Sequence, residues 1–183
     1  MIPQSARTLI EEAEHWIAPH RVVLGRDLPA YLNHVRRVLC FYAIFCEQDG
    51  IRPDPAAAVA AAYHDLGIWT DGTFDYLEPS RQRMEQALFV TRKTDLSAAA
   101  SAMLLWHHKL TPTDPKLPYG AELFRRADWL DVSLGLLRFG MLKKHVRLVR
   151  REFPNLGFHW KLVTLTLKQL LRRPWRPLPM LRW

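Results

Sequence analysis

His64 and Asp65 stand side by side in AAYHDLGIW, residues 61–69, where a run of small helix-forming residues ends on an imidazole and a carboxylate. Both groups bind divalent metals, and both cost free energy to bury without a partner. Two side chains do not make a centre, so further ligands must come from elsewhere. His34, in NHVRRV, shares a helical face with Val38 and with Phe41 or Tyr42, and so points inward. Alone, an inward histidine is more often a hydrogen-bonded core residue than a ligand. Asp128, in RRADWLD, falls between apolar positions of a core helix, a costly place for a carboxylate lacking a cation or donor. His64 and Asp65 close a helix, whose C-terminal end favours a cation. Successive helical positions diverge by about 100°, so both can reach one ion only from a helix end or a neighbouring loop. Gly67 permits that close approach.

Helices are what the pattern offers to carry these residues. RVVLGRDLPAY turns into AYLNHVRRVLCFYAIFCEQ, in which Leu32, Val35, Leu39, Tyr42 and Cys46 recur at three- and four-residue steps, the mark of a long core helix. The next helix has Asp54 as N-cap, Pro55 at its first position and Gly67 just past its end. WTDGTFDYLEPS reads as a loop restarting as a helix near Pro79, and helices follow over 80–93 and 96–109. TPTDPKLPYG is a second loop, after which AELFRRADWLDVSLGLLRF and MLKKHVRLVRREF keep helical spacing. FHWKLVTLTLKQLLRR forms a last helix before the tail WRPLPMLRW. No repeat and no strand alternation requires a sheet, so the expected class is all-α.

A chain of 183 residues, 49% hydrophobic, can fill one sizeable core, so residues 1–183 read as one domain. The longest apolar run, VLCFYAIFC at 38–46, is about half the ~18 residues of a bilayer-crossing helix. MIPQSARTLIEEAEHW carries acidic residues where a secretory signal has its apolar core, which points to the cytoplasm. Cys40 and Cys46 both lie in the apolar run and read as buried thiols, their spacing fitting neither a zinc knuckle nor a redox pair. The net charge of +8 is unevenly held. Residues 138–183 contain twelve Lys or Arg and one acidic residue, net +11, while the preceding part carries −3.

The order His34, His64-Asp65, Asp128 resembles the HD-domain superfamily of metal-dependent phosphohydrolases, over about residues 30–135. Arg37 and Val38 follow the first histidine as they often do in that family, His-Asp is followed by an apolar residue and Gly, and the last motif is Ala-Asp. The resemblance implies an HD-like helical bundle in which His34, His64, Asp65 and Asp128 hold one divalent ion, with a basic helical extension over about 138–183. Such a donor set suits Mn, Fe, Co, Ni or Mg, with Zn also open. It implies hydrolysis of a phosphomonoester, phosphodiester or nucleotide phosphate by a metal-activated water, with Asp65 also accepting the water's proton.

LLWHHKL adds His107 and His108, about 100° apart on a helix, so that one is expected to face the site. That one would bind phosphate, act as general acid or ligate a second metal, as inserted histidines do in dinuclear members; those members usually carry more than one such segment. Lys109 would bind anionic oxygen, as would Arg37, one turn from His34, although Arg37, Arg81, Arg125 and Arg126 fit a solvated face as well. Asp71, with Asp75, would line the mouth of the site or simply form the Asp-Gly turn. Asp131 reads as an ion-pair partner, with ligation or support of a ligand the alternatives. Glu78 belongs to a helix start, and His15, His20, His145 and His159 are assigned no chemistry. Two other functions stay open: a di-iron oxygenase of the same superfamily, and a non-catalytic metal-containing module binding anionic partners through the tail. The tail's basic and aromatic residues suit an anionic membrane surface. They fit a final bundle helix with its basic side in solvent better, and no nucleic-acid-binding motif accompanies them.

Overall fold

The structure is a computed structural model and describes residues 1–175 and 178–181. Its long helices are α1 (Gln4–Ile17), α2 (Leu28–Gln48), α3 (Ala56–Tyr63), α4 (Leu77–Val90), α5 (Ser97–Trp106), α6 (Tyr119–Val132), α7 (Lys143–Glu152) and α8 (Phe158–Arg172). No strand occurs among the described residues, and the fold is an all-α bundle.

The centre of the bundle follows from the alanines of α3. All eight of its residues, AAAVAAAY, are buried, as a helix apolar on every side requires. Alanine side chains let neighbouring helices approach closely, and α3 packs on α1, α5, α2 and α4. Asp54 starts it as expected, its Oδ1 accepting the Ala56 amide at 2.9 Å. The long α2 packs against α6 and α1 and buries the run from Val38 to Cys46. Cys40 and Cys46 are free and buried, and burial pushes the Cys40 thiol up to about 12, so it stays protonated and inert.

Several boundaries differ from the sequence expectation. Helix α4 begins at Leu77, taking Pro79 into its first turn, where a missing amide costs nothing. Helix α5 stops at Trp106, so His107 and His108 lie beyond its last turn. Helix α6 ends at Val132 instead of running on through SLGLLRF. Leu134 turns left-handed (φ 57°) and the Gly135 amide closes on Leu130 O at 2.8 Å, satisfying an end carbonyl.

The final helix α8 lies over the site with only Phe158 fully buried, while Trp160, Leu167 and Leu171 face outward. Part of the tail reading falls on Arg176, Arg182 and Trp183, which lie outside the described residues. No helix among the described residues is long and apolar enough to cross a membrane.

Candidate metal centre

His34 comes from the second turn of α2, His64 and Asp65 from the turn closing α3, and Asp128 from the last turns of α6. All four are at most 3% exposed. The Nε2 atoms of His34 and His64 face each other at 2.9 Å. Asp65 Oδ2 is 3.7 Å from the first and 3.5 Å from the second. Asp128 Oδ1 is 3.5 Å and 3.7 Å from the same two atoms. His34, His64 and Asp65 thus have donor atoms at metal-ligand spacing, and Asp128 Oδ1 lies within 3.7 Å of both imidazole nitrogens.

The hydrogen bonds behind the rings decide what those donors are. His64 Nδ1 lies 2.8 Å from Ala61 O and His107 Nδ1 2.6 Å from Leu104 O. A carbonyl can only accept, so both Nδ1 atoms carry hydrogen, and neutral rings then aim Nε2 lone pairs at the cluster. His34 Nδ1 donates to Asp131 Oδ2 at 2.8 Å, which fixes the same tautomer. Two lone pairs 2.9 Å apart repel unless a cation or proton stands between them. Ligands at a right angle on an ion ~2.1 Å away stand about 3 Å apart, so the separation fits one cation. Asp65 Oδ1, His107 Nε2 and both Asp128 carboxylate oxygens are buried with no hydrogen-bond partner, the deficit a metal ion removes.

Electrostatics agree. Burial drives His64 down to about 3, so it stays neutral and able to ligate. Burial would raise Asp65, but positive charge among the facing imidazoles outweighs it and holds this carboxylate well below its ordinary value, so the carboxylate calls for a proton or cation beside it. Burial pushes Asp128 up, and the Asp65 and Asp131 carboxylates add to that repulsion. Without a cation, a buried group of acids this close cannot all ionise cheaply.

Both neighbouring histidines face the cluster, a correction to the expectation that only one would. Because α5 ends at Trp106, the 100° helical divergence does not apply, and the two rings lie 3.9 Å apart. His107 Nε2 is 3.6 Å from Asp65 Oδ1, and His108 Nδ1 is 3.6 Å from Asp128 Oδ2. Each carboxylate therefore turns one oxygen toward His34 and His64 and the other toward His107 or His108. Asp65, His107 and His108 form a second group with metal-ligand spacing beside the group of His34, His64 and Asp65.

The three residues expected at substrate sit elsewhere. Arg37 is buried and its guanidinium is turned inward: Nε and Nη2 bind the two Asp131 oxygens at 2.6 and 2.8 Å, and Nη1 binds the Phe153 and Pro154 carbonyls. It holds Asp131, which holds His34, and four of its five N–H donors are committed inside the protein, facing away from any phosphate role. The Asp131 carboxyl is opposed by burial, yet His34 and Arg37 keep it well below the ordinary range. Asp71 is bound to Arg83 on the surface, and the Lys109 ammonium turns to the Thr111 hydroxyl.

Gly67 is not a helix terminator. A Cβ there would meet Tyr76 O and Ser80 Oγ at 2.9 Å, so the glycine lets the start of α4 press against the His-Asp turn. Its amide donates to Ser80 Oγ. That contact brings in Tyr76, whose hydroxyl pairs with His108 Nε2 at 2.7 Å. Phe158 stacks on the His34 ring at 4.0 Å, and His159 Nε2 donates to the Asp131 carbonyl at 2.8 Å. Sequence gave no signal for Tyr76 or Phe158, because both are ordinary aromatics until the chain brings them together.

Beside the centre is a cavity of about 180 Å³. Asp65, Tyr76 and His108 are among its polar lining residues, and Trp129, Val132, Leu162 and Met180 among the apolar ones. No family, curated protein or solved structure matches this chain.

Proposed function

We propose that this chain is a metal-dependent phosphohydrolase of the HD-domain kind. The observation that carries the reading is the pair of imidazole lone pairs 2.9 Å apart, flanked by two buried carboxylates lacking enough donors. The motif order of the same residues supports it. A divalent cation held there lowers the pKa of a water and polarises a phosphoryl oxygen. Asp65 Oδ1, free of other partners, accepts the water's proton as its oxygen adds to phosphorus. The ester P–O bond breaks as Asp65 Oδ1 passes the water's proton to His107 Nε2, 3.6 Å away, and His107 delivers it to the departing oxygen, which leaves both side chains as they began. Ester and water give alcohol and phosphate. Tyr76 and Asp128 orient His108 between them.

One observation favours a second reading. Both Asp65 and Asp128 turn an oxygen to each histidine pair, as ligands shared by two ions do. Two irons per chain would make the di-iron oxygenase the stronger account. Metal quantification on the purified protein, with phosphate release measured on mono- and diesters and nucleotides, tests both. Metal-dependent release, falling about a hundredfold or more in Asp65→Ala, is the expected result. Two irons, oxygen consumption and no phosphate release would replace the hydrolase with the oxygenase.

A further inference from the structure

The cavity beside the centre has a chemistry of its own. Two of its polar lining residues, Asp65 and His108, belong to the metal cluster. The side-chain hydrogens of its other polar residues are committed. The Trp129 indole N–H donates to Lys109 O, and the Thr166 hydroxyl donates to Leu162 O in its own helix. The Tyr76 hydroxyl is paired with His108. No lysine or arginine is among the described residues lining the cavity. Helix α8 and the segment carrying Leu178 and Met180 roof it, and Met180 is anchored among Ile68, Phe74, Tyr76 and Leu77.

We propose that this chamber binds an uncharged, apolar group of the substrate, about the size of a benzene ring, while the phosphoryl group meets the metal centre. The phosphoester rests on the hydrolase reading above, whereas the apolar group rests on the chamber alone. A cavity of about 150 Å³ lined by apolar side chains accepts benzene, and this one measures about 180 Å³. A nucleoside would bring sugar hydroxyls and base edges to walls whose side-chain donors are already paired, and unpaired polar groups there are costly. The favoured substrates are aryl or short alkyl phosphoesters, and nucleotides are disfavoured.

The test is calorimetric titration of the manganese-loaded protein with phenylphosphonate and methylphosphonate, which share the dianionic head and resist hydrolysis. Phenylphosphonate should bind about tenfold tighter or more, from burial of its ring. Val132→Phe from α6 and Thr166→Phe from α8 fill the chamber from two different helices. Each should erase the preference while metal content and methylphosphonate affinity stay unchanged. Equal affinities in the parent chain, no binding of either compound, or a preference that survives both substitutions would overturn the assignment. If the preference is found but no phosphoester is hydrolysed, the hydrolase reading fails and the chamber stands.

Discussion

Asp128→Asn protein is expected to lose metal affinity and to gain stability when metal-free. Asp128 is 1% exposed and neither of its oxygens has a hydrogen-bond partner, while burial and two nearby carboxylates oppose its ionisation. A carboxamide keeps the shape, removes the charge and supplies N–H donors to the surrounding acceptors. Each buried polar group so satisfied returns about 1–3 kcal/mol, and urea denaturation of the metal-free variant should show a gain of that order. Calorimetric titration with manganese should show the reverse, a loss beyond the ~10- to 100-fold that removal of a supporting partner causes. The sign with pH follows from the raised Asp128. The unfolded chain gives up this proton at the ordinary carboxylate value, below the folded one, so over that interval the folded state binds more protons. Metal-free stability falls as pH rises through the interval, and Asn at position 128 should flatten that fall. A carboxylate serving only structure would give destabilisation on replacement.

Arg37→Met is the second large effect, and it acts through Asp131. The guanidinium holds both Asp131 oxygens, and Asp131 in turn accepts the His34 Nδ1 hydrogen that fixes the ring. Removing the arginine leaves a fully buried carboxylate with one partner, a loss of about 3–5 kcal/mol. Metal affinity should fall ~10- to 100-fold as His34 loses its support. Replacing both, Arg37→Met with Asp131→Leu, should restore much of the stability, because no charge is then left unpaired, but not the affinity. Denaturation and titration of the single and double variants separate these outcomes.

What could be read from sequence was whatever depends on local pattern. The periodicity of α2, the Asp54 cap and the alanine run of α3 each follow from residues within a few positions of one another. His34 and Asp128 were legible because a polar group at an apolar position is expensive and so conspicuous. Arg37 was not, since a buried guanidinium looks like a surface one until its partner Asp131, 94 positions away, is known. For His107 and His108 the end of one helix decides. Extending α5 past Trp106 separates the two rings, whereas stopping it there lets both turn inward. Gly67 had a local reading as a helix stop that its close contact with Tyr76 and Ser80 replaces.

Anomalous difference density from crystals of the manganese-loaded chain tests the central claim most directly. A peak bonded to His34 Nε2, His64 Nε2, Asp65 Oδ2 and Asp128 Oδ1 is the result predicted here. Manganese bound only elsewhere, with the two imidazoles bridged by a proton alone, would contradict it.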